Sequence, residues 1–398
     1  MEWIVANGKL GGVFAMGSVD SYRGDDGDKW SGWQIMINAM NKALKRSAYA
    51  AVISASLLLA GCGAEDKNDK NSASEAGVVK VNNCGYGMEF PQAPEKVLIM
   101  NGASVGEAES MISLGLGDKI IANAQGWSVS DISGMAEKVA ALPKDNLEMN
   151  AAFDIPAEQV LSRKPDLVLS TYSGGFNERQ GFASRETLQQ VGIKSLVTPA
   201  NCALGKTENV TDQEQEQYLK AGVEDSAQYL KLLGKIFRVE DRAEELVTQM
   251  NQRIAAVEEK LAATSSSTSP KKMLIVFPEM AAMNAQGLPA VMSGGIYDNV
   301  IEKAGGSPTF AGNPDITMTL SPEQLAAADV DVLIIGTTGA QGTTAEEEAQ
   351  KLFEAYPQWK ASRTHTFVGA SDGLYLGPAH ADAIEKIAKV AYPEAFSG

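Results

Sequence analysis

Apolar residues in this chain gather into short runs bounded by charged or turn-forming residues. In the first half they are "KVLIM" from Lys96, "KIIAN" from Lys119, "DLVLS" from Asp166 and "KSLVT" from Lys194. In the second they are "KMLIVF" from Lys272, "DVLIIG" from Asp331 and "HTFVG" from His365. Apolar runs without polar alternation predict strands buried on both faces, as in a parallel sheet covered by helices on either side. Helical patterns lie between the runs, so each half reads as a doubly wound α/β lobe.

The halves also echo each other. "PAEQVLSRKPDLVLS" at 156–170 matches "SPEQLAAADVDVLII" at 321–335 at a constant offset of 165 residues. In each copy a Glu-Gln pair opens a helix, an acidic residue follows it (Asp166, Asp331), and an apolar strand comes next. Ser321 is the expected N-cap of the second copy, with Pro322 at the first helical position and Gln324 in capping-box register.

A long helical stretch separates the two. "DSAQYLKLLGKIFRV" places Tyr229, Leu232, Leu233, Ile236 and Phe237 on one face, and the following helix continues with Leu246, Met250, Ile254, Val257 and Leu261. This second helix predicts a stiff amphipathic connector of about 30 Å or more. The region is not Gly/Ser- or Pro-rich throughout, so only modest motion of one lobe against the other is expected.

Ahead of the lobes, "KALKRS" leads into the uncharged "AYAAVISASLLLA" and then to Gly61 and Cys62. A basic segment, a short apolar segment and a small-residue processing site make a secretory signal, too short for an ordinary membrane-spanning helix. Residues Leu59 to Cys62 resemble the lipobox of bacterial lipoproteins, which are cut before a cysteine that carries diacylglycerol. Cys62 is therefore the expected lipid attachment, and two or more acyl chains suffice for stable anchoring. The polar "GAEDKNDKNSASEAG" that follows reads as a tether.

Residues 1–35 have neither a helical period nor strand alternation, and a start at Met36 or Met40 gives a signal of ordinary length. The expected organisation is a doubtful extension at 1–35, a signal peptide at 36–61 and a flexible tether at 62–79. An N-terminal lobe at 80–220, a linking helical region at 221–269 and a C-terminal lobe at 270–398 follow.

Charge narrows the partners. The chain carries 34 Lys and Arg against 50 Asp and Glu, a net charge of −16. Such a surface repels nucleic acid and offers no polybasic patch for anionic lipid, so membrane association rests on the lipid alone. After export, Cys84 and Cys202 face an oxidising compartment in which a disulfide persists, the favoured reading over two free thiols or a metal site. Such a long loop is worth up to ~4–5 kcal/mol in the chain-entropy model.

Catalysis has little to build on. The two histidines, His365 and His380, accompany no G-x-S-x-G elbow, and "NCALGKT" lacks the glycine spacing of a phosphate loop. No enzymatic activity and no resident metal or cofactor is expected.

In doubly wound lobes ligands collect beyond the carboxyl ends of the strands, and two facing lobes turn those surfaces into a cleft. Aromatic residues there offer broad apolar faces with a polar edge. The candidates are Trp127, Tyr172 and Arg179 in the first lobe and Tyr297 and Tyr375 in the second. Asn101, Asn201, Glu279 and Asp372 also follow strands, and Ser104 with Glu107 has the spacing of a capping box.

This plan, with "APEKVLIMNGASVGEAESMISLGLGDKIIA", "LQQVGIKSLV", "DNVIEKAGG" and "GLYLGPAHADAIEKIA" in order, resembles the substrate-binding lipoproteins of bacterial ABC importers for iron complexes and cobalamin. The resemblance covers about residues 79–391. It implies an α/β, class III periplasmic-binding fold of the helical-backbone metal-receptor type, and a monomer anchored outside the cell membrane.

It also implies capture of a small-molecule metal chelate and delivery to an ABC permease dimer with its ATPase. A ferric siderophore is the first expectation. Haem, cobalamin or cobinamide by the same mechanism, or a non-transport surface lipoprotein, are the alternatives. Glu158 and Glu302 match the acidic positions with which the family meets its permease.

Overall fold

The computed structural model describes residues 77–397 apart from 103, 127–128, 265–268, 285 and 339–341. The extension, the signal, Cys62, most of the tether and Trp127 lie outside the described residues.

The described chain opens with a hairpin of β1 (Val79–Asn83) and β2 (Tyr86–Phe90). Its turn is Cys84-Gly85, both at positive φ (53° and 88°), the backbone twist that suits a two-residue hairpin loop. A sheet then forms from β3 (Val97–Ile99), β4 (Ile120–Asn123), β5 (Leu167–Ser170) and β6 (Lys194–Val197), in the spatial order β4-β3-β5-β6 and parallel throughout. Around it lie α1 (Gly106–Ser113), α2 (Met135–Ala140), α3 (Ala157–Arg163), α4 (Arg185–Gln190) and α5 (Asp212–Leu219).

The hairpin is fastened to the open edge of β6. The Asn83 side chain donates to the Val197 carbonyl at 2.9 Å and accepts from the Val197 N–H at 2.9 Å, as a neighbouring strand would. Arg185 grips both sides, donating to the Asn83 and Ser195 carbonyls. A Cys84–Cys202 disulfide closes the same corner across 118 residues.

Next come α6 (Val223–Phe237) and α7 (Glu240–Thr264), which cross from one lobe to the other. Arg242 near the start of α7 donates to the Ser113 carbonyl of the first lobe, whereas Arg253 binds Asp382 and Glu385 of the second. The buried stripe Ala243, Val247, Met250, Ile254, Val257 and Leu261 repeats at three or four residues, as an amphipathic helix requires. Gly234 lets α6 and α7 meet closely, because a Cβ there would lie 2.5 Å from that of Ala243.

The second lobe contains β7 (Lys272–Phe277), β8 (Ala290–Met292), β9 (Ser307–Pro308), β10 (Val332–Gly336) and β11 (Phe367–Ala370), in the order β11-β10-β7-β8 with β9 beside the start of β7. β8 runs antiparallel to β7, a reversal that the apolar runs did not announce. The helices of this half are α8 (Gly295–Lys303), α9 (Ile316–Thr319), α10 (Pro322–Ala326), α11 (Ala345–Ala355), α12 (Lys360–Thr364) and α13 (His380–Ala391).

Alternate residues of each central strand feed different cores, which explains the unbroken apolar runs. Val97, Ile99, Leu167, Leu169, Ile275, Val332 and Ile334 belong to one cluster that continues through α6, α7 and α13 into both lobes. Leu98, Met100 and Val168 pack in the outer layer of the first lobe, while Leu274, Val276, Leu333 and Ile335 do so in the second. The sequence echo is also structural. Asp166 Oδ2 accepts the Lys96 N–H at 3.0 Å just before β3, and Asp331 Oδ2 accepts the Lys272 N–H at 2.8 Å at the start of β7. The expected Ser321–Gln324 capping box opens α10.

Candidate functional site

Short residues at the carboxyl ends of the first sheet are tied together by one buried acid. Glu107 accepts from Gln125 after β4 at 2.5 Å, from Thr171 after β5 at 2.8 Å and from Thr198 after β6 at 2.5 Å. This overturns the capping-box expectation. α1 begins at Gly106, so Glu107 sits one position too early, and its carboxylate is already taken by three strand ends. Ser104 instead accepts the Gly106 N–H.

Asn101 is anchored to the 150–155 loop, its N–H to Asp154 at 2.9 Å and its side-chain amide to the Phe153 carbonyl at 2.7 Å. Burial pushes the Asp154 carboxyl up to about 8, against the two N–H groups it accepts. Tyr172 lies beside this acid, with its ring packed over Gly174 and Gly205, and burial holds its phenol protonated. Arg179 is on the surface in a 2.8 Å ion pair with Glu208.

In the second lobe Tyr297 and Tyr375 meet edge to face at 5.7 Å, and Phe277 lies 5.7 Å from Tyr375. Their hydroxyls are bonded to each other, and burial raises both phenols well above the ordinary range. Tyr218 of α5 adds a third phenol beside Tyr297, pushed up to about 12 by burial and then by Asp315. The sequence reading missed Tyr218 because it follows the polar "DQEQEQ", where only the aromatic itself was a signal. The structure thus brings Tyr297 and Tyr375 together and leaves Tyr172 and Arg179 on the other lobe. Glu158, in the first turn of α3, and Glu302, near the end of α8, are exposed on different lobes.

Asp372 follows β11 as expected of a cleft residue but is fully buried at the joint between lobes. Its Oδ1 accepts the Val105 N–H from the opposite lobe at 2.8 Å. Asp131 reciprocates by accepting the N–H groups of Ser371 and Gly373 at 2.8 and 2.9 Å, and Lys386 reaches it at 2.7 Å. Backbones touch here: a Cβ on Gly106 would lie 2.4 Å from the Leu376 carbonyl oxygen.

His380 Nε2 is 2.7 Å from Ser226 Oγ, but both residues are fully buried, and Nδ1 faces the Gly373 carbonyl. Burial pushes this imidazole down to about 4. The pair joins α6 to the second lobe and has no face open to a substrate. Among the described residues no group of three or more His, Cys, Asp and Glu is placed to hold a metal ion, and no helix is long and apolar enough to cross a membrane.

The family described as periplasmic binding protein matches residues 105–369. No curated protein matches the sequence. Among solved structures, a periplasmic binding protein from Veillonella parvula is similar at a TM-score of 0.58 and 19% identity, over 79% of this chain and 98% of that one. An ABC-type Fe3+-hydroxamate transport system from Saccharomonospora viridis follows at 0.57 and 20%, over 80% and 99%. A periplasmic heme binding protein from Pseudomonas aeruginosa gives 0.54 and 21%, over 75% and 93%. At these identities the likeness shows the fold, an α/β periplasmic-binding fold of class III.

Proposed function

The chain belongs to the periplasmic binding protein family, and we propose on that premise that it captures a metal chelate between its lobes and delivers it to an ABC permease with its ATPase. The observation that carries the ligand class is the phenol cluster in which Tyr218, on helix α5 of the first lobe, joins Tyr297 and Tyr375 of the second, with Tyr172 also on the first lobe. Protonated phenols on rigid rings present apolar faces to an organic ligand and hydroxyl donors to its oxygen atoms. Haem and ferric siderophores both have such surfaces, and structural relatives bear names of both kinds. The proposal therefore extends to the chelate class, with neither member placed ahead.

Trp127 stays among the proposed contacts, as does Arg179 once released from Glu208. Glu158 and Glu302 are the proposed permease contacts. Membership in the iron-complex and cobalamin group, a monomeric state, the domain limits given above and a lipid anchor at Cys62 belong to the same reading.

A thermal-stability screen against haem, a ferric hydroxamate, a ferric catecholate, cobalamin and free Fe3+ tests it. Binding at a hundred times Kd stabilises by about 2.7 kcal/mol, so a true ligand gives a saturable upward shift. A shift with free metal alone, or only with a non-chelate solute, would overturn the chelate reading.

A further inference from the structure

Among the described residues, the joint between the lobes contains more carboxyl groups than the Lys386 ammonium beside them can balance. Glu109 of α1, Asp372 after β11 and Asp131 before α2 come from both sides of the boundary, and each is buried. Asp131 is accounted for by Lys386 and two backbone N–H groups. Asp372 uses Oδ1 on the Val105 N–H. Asp372 Oδ2 and both oxygens of Glu109 are sealed from solvent and left unsatisfied, with the Ser130 hydroxyl beside Glu109 opposing, but not outweighing, the effect of burial and of the facing Asp372. An ionised carboxylate left in that condition is strongly disfavoured. Two facing carboxyls satisfy each other when one of them keeps its proton, because a protonated carboxyl is a donor.

We propose that Glu109 and Asp372 form a proton-sharing pair that fastens the two lobes across their joint, so that loss of the shared proton loosens the contact. The pairing does not depend on which ligand the cleft takes. Glu109 is the proton holder and Asp372 the acceptor. Burial and then the facing Asp372 raise Glu109 well above the carboxylate range, and burial raises Asp372 to about 7.

The other groups facing the pair oppose a second negative charge or leave it unbalanced. Glu107 on α1 and Asp131 add negative field, and Tyr375 is neutral. His380 on α13 is also neutral, Tyr229 of α6 faces Glu107 as a neutral phenol, and Lys386 on α13 is bonded to Asp131.

The sign follows from proton binding. The closed joint holds a proton that the opened joint, with ordinary carboxyl values, has already released by pH 6.5, so opening becomes easier as pH rises through the folded value. His380 works in the opposite direction, but only below its ordinary value of 6.5, which leaves the window above that pH to the pair.

Hydrogen exchange of the full-length chain reads the joint directly, through the amides of Val105, Ser371 and Gly373 that bond across it. Corrected for intrinsic chemistry, their protection should fall between pH 6.5 and pH 8, by at most about thirtyfold for one proton over that interval, and stay level in Glu109→Gln, which keeps a donor without the titration. No fall in the native chain, or an equal fall in Glu109→Gln, overturns the proposal. Should Glu109→Gln fail to fold, Asp372→Asn, whose Oδ1 still accepts from Val105, is read by the same two outcomes.

Discussion

Tyr375 sits where three demands meet, against Phe277 inside its own lobe, against Tyr297 at the strand ends, and next to the buried Asp372. Removing its ring therefore has two costs that a conservative change separates. Tyr375→Ala is expected to destabilise the fold by about 3–5 kcal/mol and to weaken chelate binding about tenfold or more. Tyr375→Phe keeps the ring packing, so most of the stability should remain and only the hydroxyl contribution of about 1 kcal/mol should disappear. Calorimetric titration beside thermal melts distinguishes the two. Equal chelate affinity in all three proteins would remove Tyr375 from the binding surface.

Gly106 has no room for a side chain of any size. Any side chain there must displace the Leu376 carbonyl, so Gly106→Ala should cost about 1–3 kcal/mol and expose the amides of Ser371 and Gly373 to exchange. Unchanged exchange at those amides would mean that the lobes do not bear on each other at this point.

Elements, rather than single residues, show what can be read from sequence alone. β3, β5, β7 and β10 were legible because each serves two cores, so at least three consecutive positions along each are apolar. The equivalent duties of Asp166 and Asp331 were legible because a helix, an acid and a strand recur in the same order. By contrast, β8 has three residues and takes its direction from its pairing with β7, which no local pattern records. The carboxyl cluster was hidden for a related reason: Val105 and Asp372 are 267 positions apart, and Glu109 looks like any helix-surface acid until its partner is placed. The phenol cluster was half legible, since strand ends named Tyr297 and Tyr375 but a polar helix concealed Tyr218.

The β1–β2 hairpin is held to the first sheet by the disulfide and by Asn83 and Arg185. Replacing Cys84 and Cys202 with Ser should lower stability by about 2–5 kcal/mol and increase exchange in β1, β2 and the β6 edge before other strands respond. A uniform increase across both lobes would show instead that the hairpin does not open as a unit.

Over the whole molecule, the inner core ignores the boundary between lobes and passes through α6, α7 and α13. Calorimetry should accordingly record a single cooperative transition, and two resolved transitions would contradict a shared core. Its pH dependence has a defined direction. Asp154, raised to about 8, and the Glu109–Asp372 pair, in which burial raises both carboxyls, hold protons in the folded chain that the unfolded chain releases near pH 4. Stability therefore falls as pH rises from 4 to 8. His380, lowered to about 4, offsets part of that fall up to pH 6.5 because the unfolded imidazole binds the extra proton. The decline should thus persist past pH 6.5 and flatten only towards pH 8, as thermal melts in a series of buffers would reveal; a rising profile between pH 6.5 and 7.5 would contradict it.

Where Gly106 meets the Leu376 carbonyl, backbone rests on backbone with no side chain between them. Mechanically such a contact is a fulcrum. If the lobes turn on it, each acts as a lever arm, and the displacement of a strand end grows with its distance from the pivot. On the proposed function, a rotation too small to break a single hydrogen bond at the joint would be magnified between the far edges of the lobes, so the opening met by a ligand would be governed by stiffness at a point that the ligand never touches.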